Sequence, residues 1–153
     1  MILIDGKNTA AEIKKQIAAE VEEIVAAGGR RPRLAAILVG RDGASMTYVA
    51  NKENACAAVG FNSTVIRMSE TVSQQELLDE IDKLNRDSSV DGIIVQLPLP
   101  KHIDEMAITQ AISYKKDVDG FNPLNLGRLA LGLETFTCAT PKGVMSLLDA
   151  YNI

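Results

Sequence analysis

The chain has 153 residues, of which 46% are hydrophobic and 24% are charged, a profile typical of one globular domain. Its net charge of -4 offers no basic surface for nucleic acid, so we expect no nucleic-acid partner. No apolar run approaches the roughly 20 residues of a membrane span, so we expect no membrane partner.

The N-terminal stretch MILIDGKNTAAEIKKQ lacks the basic start of a signal peptide. Cys56 and Cys138 are too few and too far apart for a disulfide framework or a zinc site. We therefore expect reduced thiols and a cytoplasmic location.

Helical and strand patterns alternate along the first half of the chain. A first helix before the Gly28–Gly29 stop is predicted by four apolar residues at helical spacing: Ile13, Ile17, Val21 and Ile24. The run RLAAILVG predicts a buried strand that ends in glycine. A second helix from about Ala44 to Val59 follows and stops at Gly60.

The second half continues the alternation. The β-branched run NSTVIRM predicts a strand, and Ser73 with Glu76 predicts a capping box that begins a helix. VDGIIVQLPLP predicts a third strand ended by two prolines, and a short helix is expected around residues 104–112. Thr140 and Pro141 predict the N-cap and first turn of a last helix.

This order of elements favours an α/β fold. We expect a three-layer α/β/α arrangement with a mostly parallel sheet, Rossmann-like but without a dinucleotide fingerprint. Ligands of such sheets bind outside the carboxyl ends of the strands, where the loops GRDGAS and QLPLPKH should lie. The helix that carries Tyr48 and Lys52 is therefore expected beside the end of the third strand.

Tyr48 and Lys52 share one face of the second predicted helix, because they are four residues apart. They form either an ordinary packed tyrosine with a solvated lysine or a pair that faces a ligand. The Tyr-x-x-x-Lys spacing is also similar to that of short-chain dehydrogenases. That interpretation is disfavoured because ILVGRDGAS is not a G-x-G-x-x-G loop.

Two groups of polar residues lie at and after the end of the predicted third strand. Gln96 interrupts an apolar run and needs partners, either as a capped glutamine at a strand end or as a ligand contact. Asp117 and Asp119 suit an Asx-turn loop or a binding site. No third oxygen ligand or histidine supports a metal there, so we expect no metal site. Four nearby cationic or titratable side chains are interpreted as loop or solvated residues: Lys101, His102, Lys115 and Lys116.

Four segments together resemble one family: GASMTYVANKENACAAVGF, DGIIVQLPLPKHI, KDVDGFNPLNLGRL and TPKGV. Their order and spacing are similar to the N-terminal domain of bifunctional methylenetetrahydrofolate dehydrogenase/methenyltetrahydrofolate cyclohydrolase. The resemblance extends from about Ile2 to the last residue. One departure is that Cys138-Ala139-Thr140-Pro141 stands where the family commonly has Pro-Cys-Thr-Pro.

The resemblance implies roles for particular residues. Tyr48 stacks on the folate ring system, Lys52 is the catalytic base and proton carrier, and Gln96 orients Lys52 and water. Asp119 accepts hydrogen bonds from the pterin. The backbone at Val95 and Leu97 lines the same slot.

The resemblance also implies an activity. The two-domain enzyme oxidises 5,10-methylenetetrahydrofolate with NADP and hydrolyses the methenyl product to 10-formyltetrahydrofolate. The NADP-binding Rossmann domain of the family has no counterpart in residues 1–153, so we expect these residues to be the folate-binding half. We expect no NADP binding by them, and a homodimer for the parent enzyme. Two alternatives are a folate-binding module without catalysis and an unrelated α/β interaction domain.

Overall fold

The computed structural model describes residues 3–153, so Met1 and Ile2, where the family resemblance begins, lie outside the described part. The elements follow in this order along the chain: α1 (Gly6–Ala26), β1 (Arg33–Val39), α2 (Gly43–Ala58), β2 (Asn62–Met68), α3 (Gln74–Arg86), β3 (Gly92–Val95), α4 (Glu105–Ala111), α5 (Pro123–Ala130) and α6 (Ala139–Ala150).

The three strands form one parallel sheet in the order β2-β1-β3, which confirms the predicted α/β fold. Ile37 of β1 aligns with Ile66 of β2 and Val95 of β3. The third strand is shorter than predicted and ends before the glutamine. The Gln96 amide still donates to the Ile37 carbonyl at 2.9 Å. The ladder then stops, because Pro98 has no N–H to continue it.

Both faces of the sheet are covered by helices. On one face, β1 and β3 pack with α3 and α4 in a core that includes Ala35, Ile37, Val39, Leu77, Ile81, Ile93, Val95 and Ile108. On the other face, α2 contacts β1 and β2, and buries Val49 and Cys56. Successive side chains of a strand point to opposite faces, so Leu38 is buried beneath the α2 layer.

Local signals explain where most helices begin. Ser73 and Glu76 form the predicted capping box of α3, with the Glu76 amide 3.2 Å from the Ser73 hydroxyl. The short helix α4 begins after Asp104, whose carboxylate accepts from the Met106 amide at 2.9 Å.

Three expectations were incomplete or wrong. The helix α5 was not predicted, although Asn122 caps it and Pro123 occupies its first turn. The N-cap position of the last helix is Cys138 rather than Thr140, with no side-chain capping bond, and Pro141 lies in the first turn. Lys116 is not a solvated side chain. Its ammonium donates to the carbonyls of Leu84 and Asp87 at 2.8 and 2.7 Å and so closes the end of α3.

His102 lies in a loop, as expected, with Nε2 2.8 Å from the Val72 carbonyl. Cys56 and Cys138 are both free thiols, as expected. Among residues 3–153, no helix is both long enough and apolar enough to cross a bilayer.

Candidate functional site

The carboxyl ends of β1 and β3 bring α2 and the loop after β3 together. Asp42 follows β1 and caps α2, accepting from the Ser45 amide at 2.8 Å. Three turns into the helix, the Lys52 ammonium donates to the Gln96 Oε1 at 3.2 Å. The Gln96 Nε2 donates to the Leu97 carbonyl at 2.8 Å, which fixes the amide so that its oxygen serves Lys52. The predicted proximity of this helix to the end of the third strand is confirmed.

A cavity of about 420 Å³ lies at this junction. Five of the six site residues predicted from the sequence line it: Lys52, Val95, Gln96, Leu97 and Asp119. The opposite wall is made by residues that the sequence did not point to: Phe121, Cys138, Ala139, Thr140 and Pro141. The volume lies within the range typical of small-molecule sites.

Tyr48 is the predicted site residue that does not line this cavity. It is 61% exposed and lies one helical turn before Lys52 on the same face of α2. The interpretation of Tyr48 as an ordinary packed tyrosine is therefore wrong for this side chain. Its ring is an exposed flat apolar surface beside the lysine.

Asp119 reaches the cavity because its segment runs beside β3. The Ile93 amide donates to the Lys116 carbonyl at 2.7 Å, and Ile93 and Asp117 form an isolated parallel bridge. The carboxylate of Asp119 accepts no hydrogen bond from residues 3–153. Burial raises the pKa of Asp119 above its ordinary value, the positive charge of Lys52 opposes this, and the negative charge of Asp117 adds to it.

Asp117 has the opposite surroundings. It is 2% exposed and accepts from the Gly120 amide at 3.2 Å, the Asn122 amide at 2.7 Å and the Asn125 Nδ2 at 2.9 Å. The Asn125 Oδ1 in turn accepts from the Thr135 hydroxyl at 2.7 Å. This buried network fixes the loop that carries Asp119 and joins it to α5.

Gly120 brings the two walls of the cavity together. Its φ of 74° is unfavourable for other residues, and a Cβ there would lie 2.7 Å from the Cys138 amide nitrogen. The Cys138 thiol donates to the Gly120 carbonyl at 3.2 Å. The start of α6 is thus held directly against the Asp119 loop.

The walls missed from the sequence come from residues far apart along the chain. No local pattern links Phe121 with Cys138, and only the close approach at Gly120 joins them. The family's Pro-Cys-Thr-Pro segment was a signal for this wall, since Cys138 to Pro141 occupy its position. Among residues 3–153, no three His, Cys, Asp or Glu side chains are grouped as a metal site.

With this geometry established, three comparisons identify similar proteins. A family model described as tetrahydrofolate dehydrogenase/cyclohydrolase, catalytic domain, matches residues 4–119. The Bifunctional protein FolD of Bacteroides thetaiotaomicron is 56% identical over 153 residues, covering 100% of this chain and 52% of that protein.

Two solved structures share the fold closely. The bifunctional FolD methylenetetrahydrofolate dehydrogenase/cyclohydrolase of Campylobacter jejuni is 48% identical with a TM-score of 0.97, covering 100% of this chain and 54% of that one. The Trypanosoma brucei enzyme, complexed with NADP cofactor and inhibitor, is 35% identical with a TM-score of 0.93, covering 99% and 52%. The chain therefore spans about half the length of the curated relatives it matches.

Proposed function

This chain belongs to the tetrahydrofolate dehydrogenase/cyclohydrolase family, and we propose that residues 1–153 are its folate-binding catalytic domain. The substrate is a tetrahydrofolate derivative. The reaction assigned to these residues is hydrolysis of 5,10-methenyltetrahydrofolate to 10-formyltetrahydrofolate. The observation that carries the proposal is the Lys52–Gln96 contact of 3.2 Å in a cavity that Asp119 also lines.

Lys52 is suited to move a proton. An ammonium has three donors, and the Gln96 oxygen is the one acceptor that Lys52 meets among residues 3–153. The remaining positions are available to water or substrate. Gln96 holds the nitrogen in place, so a neutral Lys52 can take a proton from a water positioned in the cavity.

The hydrolytic step balances with these residues alone. A water oxygen bonds to the cationic methenyl carbon while Lys52 takes one water proton. The carbon–N5 bond then breaks, the remaining hydroxyl becomes the formyl carbonyl, and its proton ends on N5. The proton on Lys52 returns to solvent, so the net products are 10-formyltetrahydrofolate and one proton.

Asp119 and Tyr48 are assigned to substrate binding. Asp119 has acceptor oxygens without partners in residues 3–153, so it can accept two hydrogen bonds from the pterin amino and ring N–H groups. Tyr48 offers an exposed ring for stacking one turn from Lys52. Val95 and Leu97 line the slot between these groups and the α6 wall.

The turn after β1 does not fit the pyrophosphate of NADP. A nicotinamide dinucleotide needs the N-terminus of a helix for its pyrophosphate. At the turn after β1 that position is taken by the Asp42 carboxylate, which accepts from the Ser45 amide. The negative charge of Asp42 also repels phosphate. We therefore propose that oxidation of 5,10-methylenetetrahydrofolate, for which the resemblance implies NADP, draws its nucleotide from outside residues 3–153.

We also propose a cytoplasmic location and, for residues 1–153 alone, a monomer or a weak homodimer. The free thiols of Cys56 and Cys138 are consistent with a reducing compartment. Sedimentation over a range of concentrations tests the assembly. A dimer that does not dissociate on dilution would contradict it.

The test of the proposed function is spectroscopic. The absorbance of 5,10-methenyltetrahydrofolate is followed with the 153-residue chain, and the spontaneous rate is subtracted. Lys52→Met keeps the length and apolar stem of the side chain but removes the titrating amine. We expect hydrolysis above background by the wild-type chain and background hydrolysis by Lys52→Met, with folate still bound.

The matched control is Lys14→Met, on the exposed face of α1, which should hydrolyse at the wild-type rate. Folate binding without hydrolysis by the wild-type chain would leave a binding module in place of an enzyme. No folate binding would contradict the whole proposal.

A further inference from the structure

A second cavity, of about 320 Å³, lies between the turn after α4, the helix α5 and the segment before α6. We call it the Tyr114 pocket, and its argued walls are Tyr114, Lys115, Arg128, Glu134, Thr135 and Phe136. It shares no lining residue with the cavity of Lys52. It is therefore a separate feature of the molecule.

Two cations border one aromatic ring in this pocket. The Lys115 ammonium and the Arg128 guanidinium carbon each lie 5.9 Å from the centre of the Tyr114 ring. Among residues 3–153, the ion pairs involve other side chains, and neither of these two cations takes part in one.

Hydrogen bonds within the chain hold part of the pocket wall in place. Arg128 donates from Nε and Nη2 to the Glu134 carbonyl at 3.1 and 2.8 Å, which fixes the guanidinium plane. Asn125 is 1% exposed and donates to the Tyr114 carbonyl at 3.0 Å, while it accepts from Thr135 at 2.7 Å. Arg128 and Asn125 are therefore already fixed in place before a ligand binds.

The donors that remain face no acceptor in residues 3–153. They are the Lys115 ammonium, the Arg128 Nη1 and the Tyr114 hydroxyl. Three donors, two of them positively charged, match an oxyanion, since hydrogen bonds between a cation and an anionic oxygen are the strong ones. The exposed Glu134 is the single acidic wall residue, and its carboxylate makes no bond to either cation.

We propose that the Tyr114 pocket binds a small oxyanion, a phosphate group or a carboxylate, through Lys115, Arg128 and the Tyr114 hydroxyl. An anion there neutralises two like charges that each lie 5.9 Å from the centre of one ring. Phe136, which is 39% exposed, gives the ligand an apolar edge to rest on. The proposal is independent of the folate site, because the two cavities have separate walls.

The test is an NMR titration of the 153-residue chain with inorganic phosphate at constant ionic strength, kept with chloride. We expect saturable shifts at the amides around Tyr114, Lys115 and Arg128, with a Kd of about 1–10 mM. A parallel titration with acetate separates the two sources: saturation by phosphate alone assigns a phosphate group, and saturation by acetate alone assigns a carboxylate.

Lys115→Gln removes one exposed cation without touching the core. It should weaken phosphate or acetate binding by about tenfold and leave methenyl hydrolysis unchanged. Lys14→Gln is the matched control and should bind as the wild type does. The proposal is overturned by shifts that stay linear to about 50 mM of both anions, or by Lys115→Gln binding with wild-type affinity.

Discussion

Asp117 and Asp119 are separated by one valine, yet their surroundings are opposite. The Asp117 carboxylate is buried and accepts three hydrogen bonds from Gly120, Asn122 and Asn125. The Asp119 carboxylate accepts none from residues 3–153 and lies in the cavity that Lys52 lines. One carboxylate is satisfied by its own chain, and the other has free acceptor oxygens beside a lysine.

The difference shows how one short loop combines support and chemistry. A buried carboxylate that the chain saturates stabilises the loop, because each donor that it serves would be costly to leave without a partner. A partly buried carboxylate without partners destabilises the fold slightly but remains available to a ligand. Without the family resemblance, nothing local in KDVDG distinguishes the two aspartates.

The largest effect is expected when the supporting carboxylate is removed. Asp117→Ala leaves the buried donors of Asn122 and Asn125 without their acceptor, so the free energy of unfolding should fall by roughly 3–5 kcal/mol. Urea denaturation measures it. Asp119→Ala is the control and should change the free energy of unfolding by less than about 1 kcal/mol. If both variants lost the same free energy of unfolding, Asp117 would not be the supporting carboxylate of the pair.

The next effect concerns the contact that closes the cavity. Gly120→Ala forces a Cβ to within 2.7 Å of the Cys138 amide nitrogen and strains a φ of 74°. We expect a loss of about 2–4 kcal/mol in thermal unfolding. Gly132→Ala is matched, because its φ is 68° but a Cβ there meets nothing within 4 Å.

Gly132→Ala should cost only about 1 kcal/mol, from backbone strain alone. If the two alanine variants melt alike, the close approach of Gly120 to the start of α6 does not hold the cavity wall.

A smaller effect is expected at the exposed edge of the site. Tyr48→Ala should weaken folate binding by about 1–3 kcal/mol. Because Tyr48 is 61% exposed, the melting temperature should hardly change. Calorimetric folate titration and thermal melting are measured on the same sample. A variant that melts early but binds folate normally when folded would make Tyr48 a packing residue.

The smallest effect is a gain in stability. The pKa of Asp119 is raised in the folded state. Between the ordinary aspartate pKa and this raised pKa, the folded chain therefore binds more protons than the unfolded chain, and the free energy of unfolding falls as pH rises. The ionised form of Asp119 therefore destabilises the fold at neutral pH. Asp119→Asn should raise Tm by no more than about 2 °C at pH 7. The gain in Tm should vanish below the ordinary aspartate pKa. A lower Tm for Asp119→Asn at pH 7 would contradict the expectation that the ionised carboxylate destabilises the fold.

The sequence predicted the features that depend on neighbouring residues and missed those that depend on residues distant along the chain. The capping box of Ser73 and the apolar spacing of the first helix are local, and both elements form as predicted. The helix α5 was missed because Asn122-Pro123 stands inside a polar stretch that suggested only a loop. The roles of Asp117 and Lys116 depend on partners brought near by folding, namely Asn125 and the end of α3.

The candidate site also contains residues that the sequence predicted and residues that it did not. Lys52 and Gln96 are 44 residues apart. Their approach was predicted because both follow strands of a parallel sheet at its carboxyl edge, and because the family resemblance pairs them. The α6 wall depends on the contact of Gly120 with Cys138, which no periodic pattern announces. Sequence reasoning therefore found the sheet-edge half of the cavity and missed the half that a loop contact creates.

The most direct test of the central claim is folate binding by Asp119→Asn across pH. The raised pKa of Asp119 means that wild-type affinity should fall as pH drops through that pKa, since protonation removes the negative charge and turns one of the two acceptor oxygens into a donor. Asp119→Asn should bind at least about tenfold more weakly at pH 7 and lose this pH dependence while remaining folded. Wild-type affinity with an unchanged pH profile in the folded variant would contradict the assignment of Asp119 as the ligand-binding carboxylate.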